Sequence, residues 1–441
     1  MGHELARGTE DRMIAIVLVT VLALIVAVIL TYTVRHYFFT INRMVGEHRQ
    51  PYVDIGVAHW PMVTVFVPAH NEALVISGML DALLAQDYPA DRLRIVPIND
   101  RSTDKTGEIV DDYAGRFPER VTPFHRREGE GGKAAALRDA APHFGGEVHL
   151  VFDADYLPGR GLVKQLVAPF FDPEVGAVMG RVVPHNVSRS LLTRLLDLER
   201  AGGYQVDQQA RMNLRLVPQY GGTVGGVRRS ALEAVGGWNP RTLAEDTDMT
   251  YRLLLAGWEV VYQNRSECYE EVPENWPTRI RQIMRWTTGH NQALRSHAWP
   301  LLKRPRHLRR WLVLDGVLLL GVFAVGPLLL LGWAIAIALL FMGVMPLQGF
   351  VALLAITAYG TLGNFAAFFE VATAARLDGT LRRIRILPFL IFGFLVSLMS
   401  VSRATLRQIF LPRPKEVRAW DKTERYRADT NGNDTTPAGT R

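Results

Sequence analysis

The chain has 441 residues, of which 48% are apolar, with a net charge of +7 and a single cysteine, Cys268. A mean hydropathy of only +0.06 excludes a uniformly membranous chain, and one cysteine excludes an intrachain disulfide or a cysteine-based zinc site. The length leaves room for a soluble core beside membrane spans, and the positive charge fits nucleic acid, an anionic membrane or anionic substrates without choosing among them.

Residues 13–33 (MIAIVLVTVLALIVAVILTYT) carry no charge and are long enough to cross roughly 30 Å of hydrocarbon. The run is longer than the apolar core of a secretory signal, and Tyr32, Tyr37, Phe38 and Phe39 lie at or beyond its end like an interfacial aromatic belt. It reads as a retained transmembrane helix. Arg35, Arg43 and Arg49 follow it, against Arg7 and Arg12 before it. That bias places residues 1–12 outside the cytoplasm and the chain after the span inside it.

Residues 50–300 are charged and mixed, as in a globular domain large enough to bury a substantial core. VTVFVP (63–68), LRIVPI (93–98), VTPF (121–124) and VHLVF (148–152) predict strands, while 72–86, 104–116 and 133–141 predict helices. Strands alternating with helices indicate an α/β sheet with parallel crossovers, whose ligands sit beyond the carboxyl ends of the strands. The polar clusters His70–Asn71–Glu72, Asn99–Asp100 and Asp153–Ala154–Asp155 fall there.

GEGGKAAAL (129–137) is a glycine-rich turn entering a helix, without P-loop spacing because Ala134 follows Lys133. FDADY (152–156) offers two carboxylates that can converge on Mg²⁺ or Mn²⁺ and bridge it to a diphosphate, although an isolated Asp-x-Asp is more often a solvated turn. AEDTD (244–248) opens a predicted helix, so Asp246 is either a general base or, with Thr247, a helix cap. In RQIMRW (281–286), Gln282, Arg285 and Trp286 share a helical face. There arginine suits a diphosphate and tryptophan a sugar, while an amphipathic membrane-surface helix would carry the same residues.

After the basic run KRPRHLRR (303–310), residues 311–402 hold C-terminal transmembrane or interfacial helices. Their apolar blocks are 311–343, interrupted at Gly326–Pro327, then 349–374 and 386–402, with basic RLDGTLRRIR at 376–385. Three or four spans are expected in all, with 386–402 re-entrant or interfacial unless the parity differs. Asp315 and Glu370 lie within these blocks, either facing a polar path or close to the membrane interface. Residues 403–441 form a basic cytoplasmic tail, expected to be partly disordered.

In chain order, VPAHNE (67–72), NDRSTD (99–104), GGK (131–133), DAD (153–155), YGGT (220–223), AED (244–246) and QIMRW (282–286) resemble the motifs of the membrane-integrated family 2 inverting glycosyltransferases. That branch includes cellulose, hyaluronan, chitin-oligosaccharide and poly-N-acetylglucosamine synthases. The resemblance covers about residues 60–300. It implies an α/β GT-A (Rossmann-like) cytoplasmic domain plus transmembrane α-helices, in a multi-pass protein of the cell membrane. Its partners would be a UDP-sugar donor, a glycan or glycolipid acceptor, the lipid bilayer, Mg²⁺ or Mn²⁺ and possible accessory export subunits, with no nucleic acid. Asp246 would be the base. Glu72, Asp100, Lys133, Asp153, Gln282 and Arg285 would hold the nucleotide and diphosphate, and Asp155 with Asp153 the metal. Tyr220, Gly221, Gly222, Thr223, Glu245 and Trp286 would form the acceptor side. His70, Arg101, Ala244 and the Tyr-Gly-Gly-Thr string depart from the usual pattern. The implied activity is processive extension of a β-linked polysaccharide with a hexose or N-acetylhexosamine. The alternative is addition of a single sugar to a lipid-linked or glycolipid acceptor.

Overall fold

The first apolar run lies within a longer helix than the sequence predicts. In the computed structural model, which describes residues 2–46, 49, 59–303, 307–357 and 365–411, α1 (Gly2–Val45) is continuous over 44 residues. Residues 2–12, expected as a separate N-terminus, continue that helix, and Gly2–Val45 has no proline to break it.

Beyond it, β1 (Val63–Ala69), α2 (Ile76–Leu84), β2 (Leu93–Asp100), α3 (Thr106–Arg116), β3 (Phe124–Arg126), α4 (Lys133–Ala140) and β4 (Val148–Val151) follow the predicted alternation. β3 starts late: Val121 makes only an isolated bridge to Ile95, and Pro123 has no N–H to extend the ladder upstream. Val63, Val65 and Val67 pack into one core with α2 and α3, while Phe66 packs on the opposite face with Leu137 of α4. β-Branched residues suit such a strand, which is buried on both sides.

The unbroken parallel run ends with these four strands, although β6 and β8 further on also pair in parallel. β5 (Leu157–Pro158), α5 (Leu162–Val167), β6 (Val175–Pro184), α6 (Leu191–Ala201), α7 (Gln209–Asn213), β7 (Gly225–Arg228), α8 (Arg229–Ala234), α9 (Glu245–Leu255) and β8 (Glu259–Glu270) complete a mixed sheet ordered β3-β2-β1-β4-β7-β6-β8-β5. β7 runs antiparallel to both β4 and β6. It fits there because it begins with two glycines. A Cβ on Gly225 would lie 2.6 Å from the Val178 carbonyl, and one on Gly226 2.4 Å from Leu150 Cδ2. A π-helical stretch, Gly202–Gln208, joins α6 and α7 into one rod.

α10 (Trp276–Leu302) begins at Asn275, whose side chain accepts from the Thr278 N–H. The C-terminal region holds α11 (Arg310–Leu320), α12 (Val325–Phe341), α13 (Leu347–Thr357), α14 (Phe365–Leu377) and α15 (Leu390–Phe410), with a 3-10 turn Leu381–Phe389 leading into α15. Block 311–343 breaks after Gly321 rather than at Gly326–Pro327, since Pro327 falls in the first turn of α12, where a missing N–H costs nothing. α15 runs past residue 402, so the expected tail begins as helix. Residues 412–441, with the disorder expected for them, lie outside the described residues, as do 304–306 of the basic run and 358–364 of block 349–374.

Three helical segments, Glu10–Val45, Val322–Phe341 and Leu381–Phe410, are long and apolar enough to cross a membrane. Leu22, Ile25 and Ile29 of α1 pack on Leu329, Ala336 and Leu339 of α12. Both ends of α15, however, meet elements attached to the sheet. Leu390 packs on Leu195 and Leu198 of α6, and Gln408 Nε2 donates to the Thr288 carbonyl of α10 at 3.1 Å.

Asp315 and Glu370 are taken up in ion pairs. Asp315 accepts from Arg35 (2.8 Å) and Arg211 (2.6 Å); Asp207 pairs with Arg211 (2.9 Å) and Arg35 (3.6 Å), closing a ring among α1, the π segment, α7 and α11. His36 Nδ1 lies 2.7 Å from Glu370.

Candidate active site

The carboxyl ends of β1, β2 and β4 bring together the polar clusters that follow them. After β1, His70 Nδ1 lies 2.6 Å from the Asp100 carbonyl, and Asn71, at φ 56°, accepts from the Thr103 N–H at 2.7 Å. Glu72 is 4% exposed, and its N–H donates to Thr106 Oγ1. The first two loops are thus stitched into one floor.

Asp100 is wholly buried. Its Oδ1 accepts from Arg126 Nη1 at 2.5 Å and from Arg101 Nε at 2.9 Å. Arg126 also holds Asp139 and the Glu130 carbonyl. Arg101, one of the departures from the family pattern, therefore stands directly on the carboxylate expected to meet the base of the nucleotide.

The glycine-rich turn delivers Lys133 to the Asp153–Asp155 motif. Gly132 takes φ 113°, a left-handed conformation natural to glycine, as the cap of α4. The next residue, Lys133, then donates to Asp153 Oδ1 at 2.5 Å. Burial pulls the Lys133 pKa down, but Asp153, Glu245 and Asp246 outweigh it and leave it raised, so the lysine stays an ammonium. Asp155 is 2% exposed, and Thr223 Oγ1 accepts from the Asp153 N–H at 3.0 Å.

Gly222, at φ 70°, presses on the next motif. A Cβ there would lie 3.0 Å from Asp246 Cβ and 3.4 Å from both Asp246 Oδ2 and Glu245 Oε1. Asp246 Oδ1 accepts from the Thr247 N–H at 2.6 Å. The helix cap is Ala244, without a side-chain hydrogen bond, so neither Asp246 nor Thr247 caps α9. Burial and the adjacent Asp246 raise the Glu245 pKa to about 7, with Lys133 opposing. Tyr220 is buried in the core, its ring centroid 6.4 Å from that of Trp238, rather than lining an open surface. Gly221 backs onto Met179.

α10 closes the site. A Cβ on Gly289 would lie 2.7 Å from both the Cβ and the N of Ala244, so this glycine lets α10 seat on the start of α9. Gln282 Oε1 accepts from Arg279 at 2.8 Å, and the charge of Arg285 acts on Glu245. The Trp286 ring has two guanidinium groups over it, Arg200 at 5.3 Å and Arg279 at 5.2 Å. Arg200 in turn pairs with Glu270, which accepts from Tyr156 at 3.0 Å, and Arg279 pairs with Glu199.

His290, on the same helix, meets Thr247 Oγ1 at 3.3 Å and Gln219 Nε2 at 3.2 Å, and burial lowers its pKa against the pull of Asp246. No local motif marks Arg126, Arg200, Glu270 or His290. They converge from segments remote in sequence.

Among the described residues no three carboxylate, histidine or cysteine side chains cluster as metal ligands. Asp153 and Asp155 supply a two-carboxylate set of hard oxygens. That suits Mg²⁺ or Mn²⁺ completed by diphosphate oxygens, not a closed protein cage.

The pattern of a family described as glycosyltransferase like family 2 matches residues 61–289, just over half of the chain. A probable glycosyltransferase, YdaM, of Bacillus subtilis is 33% identical over 262 residues, covering 59% of this chain and 61% of the relative. The beta-monoglucosyldiacylglycerol synthase of Synechocystis is 31% identical over 284 residues, covering 64% of this chain and 59% of the relative. The chain thus spans about three fifths of the length of these relatives. The solved structure of mannosyltransferase PcManGT from Pyrobaculum calidifontis, in complex with GDP-Man and Mn²⁺, is similar with a TM-score of 0.61 at 23% identity, over 90% of this chain and 100% of that one. The shared fold is GT-A-like, with a curled mixed sheet.

Proposed function

The chain belongs to glycosyltransferase family 2 and is a glycosyltransferase; from that premise we propose that it transfers a hexose or N-acetylhexosamine from a UDP-sugar, with inversion, to a glycan or glycolipid hydroxyl at the cytoplasmic face of the cell membrane. The observation that carries this reading is the convergence of Lys133, Asp153, Glu245 and Asp246 beside α10, at the carboxyl ends of the parallel strands.

Asp246 takes the proton of the acceptor hydroxyl as its oxygen attacks the anomeric carbon. The bond from that carbon to the diphosphate oxygen breaks, and the nucleotide leaves. One in-line attack inverts the centre, so an α-linked donor gives a β-linked product. Lys133, Gln282 and Arg285 hold the departing diphosphate, and Glu72 and Asp100 serve the nucleoside side. Asp153 and Asp155 would hold Mg²⁺ or Mn²⁺, which when bound supplies positive charge against the leaving group. Trp286, Glu245 and Gly221–Thr223 serve the acceptor, with Tyr220 supporting them from the core.

Two acceptors have about equal support. The glycolipid synthase of Synechocystis favours single addition to a lipid-borne acceptor. The motif set shared with polysaccharide synthases favours processive extension, with export through accessory subunits. α15, whose ends both meet α6 or α10, is read as lying along the interface, leaving α1 and α12 as spans. Sizing labelled product from the lipid-reconstituted enzyme, with anomeric analysis by NMR, tests the proposal. A β-linkage from an α-linked donor is expected, and retained configuration contradicts it. Product length then separates the two acceptors.

A further inference from the structure

Between α6 and the turn Leu381–Phe389 lies an open cleft of about 360 Å³ whose lining includes Arg194, Arg382, Arg383, Asp197 and Ser188. None of the active-site residues borders it. Asp197, 3% exposed, pairs with Arg383 at 2.6 Å, which uses one of the three guanidinium groups. Arg194 and Arg382 are exposed, and no carboxylate pairs with either among the described residues. The cleft therefore keeps two positive charges unmatched.

The surroundings are apolar where water-facing protein is usually polar. Val187 and Ile386 line its wall, Leu191 (47% exposed) stands one turn before Arg194 on α6, Leu381 (57%) is the chain neighbour of Arg382, and Phe389 (44%) and Phe392 (57%) are exposed further along the same segment. Arginines and exposed aliphatic and aromatic side chains share one surface where headgroups meet acyl chains. The turn also leads straight into α15, in a segment apolar enough for a membrane. Guanidinium forks match phosphate oxygens two at a time, and basic clefts beside membrane helices suit anionic headgroups.

We propose that this cleft binds the phosphate of an anionic phospholipid headgroup, through Arg194 and Arg382, with the acyl chains over Leu191 and Phe389. The bound lipid sits on α6, whose next turns carry Glu199 and Arg200 to Arg279 and Trp286.

The test is native mass spectrometry of the full chain released from phosphatidylcholine–phosphatidylglycerol nanodiscs, comparing wild type with the double variant R194Q/R382Q. Asp197 and Arg383 stay in place, so the buried carboxylate keeps its partner. Wild type retains phosphatidylglycerol over phosphatidylcholine, and the double variant loses that preference about tenfold or more. R194K/R382K, which keeps the charge, restores it in part and separates loss of the site from loss of the fold. Equal retention by wild type and R194Q/R382Q, or no preference in wild type, overturns the proposal. Displacement of the lipid by an equal concentration of inorganic phosphate overturns the lipid assignment, leaving a free-phosphate site.

Discussion

Glu245 meets two opposing fields: burial and Asp246 raise its pKa from 4.5 to about 7, while Lys133 and Arg285 draw it down. Its folded value lies above its unfolded one, so the folded state holds the proton more tightly. The stability this gives is complete below pH ~4.5 and is lost as the pH rises through about 7. Thermal melts of the donor-free enzyme across this window should fall with rising pH, and Glu245→Gln should flatten that slope. Lys133→Ala removes the cation that serves Asp153. It is expected to weaken binding of the nucleoside diphosphate by about ten- to a hundredfold, the worth of a charge-assisted hydrogen bond, as read by calorimetry. Lys133, Asp153 and Asp246 were legible in the sequence because each follows a strand end or opens a helix. Arg126 and Arg200 were not. They meet Asp100 and Glu270 across 26 and 70 residues of chain, and no short motif encodes such a meeting.

At the scale of elements, the site depends on how closely α10 approaches α9. Gly289→Val would drive a side chain into Ala244 and push α10, with Arg285 and Trp286, away from the start of α9. Overpacking of this kind costs about 1–3 kcal/mol, so the variant should stay folded while its turnover falls by tenfold or more; matched melting and activity assays check both. β1, β2 and β4 could be read in advance because apolar β-branched runs alternate with helical spacing, whereas the third expected strand, 121–124, shares only Phe124 with β3. The antiparallel entry of β7 could not. It depends on two adjacent glycines fitting against Val178 and Leu150, a tertiary contact. The break after Gly321 has a similar cause, for a Cβ there would lie 2.9 Å from Tyr32 Oη on α1.

For the whole molecule, the ring of Arg35, Asp207, Arg211 and Asp315 ties the first apolar helix to the catalytic domain. Asp315→Ala leaves two largely buried guanidinium groups with only one of the two carboxylates they share, Asp207. The expected loss is about 3–5 kcal/mol, read as a lowered unfolding midpoint in detergent. The sequence already showed that Asp315 was unusual, since a carboxylate in an apolar block needs a partner, but its partners Arg35 and Arg211 come from two other segments. Asp246 is proposed to be the base of the sugar transfer. The most direct measurement is nucleotide release by the lipid-reconstituted full chain against a panel of UDP- and GDP-sugars with Mg²⁺ or Mn²⁺, beside Asp246→Asn. Release with one donor is expected, reduced about 10²–10⁴-fold in the variant while donor binding by calorimetry is unchanged. Release from Asp246→Asn at the wild-type rate would contradict that role for Asp246.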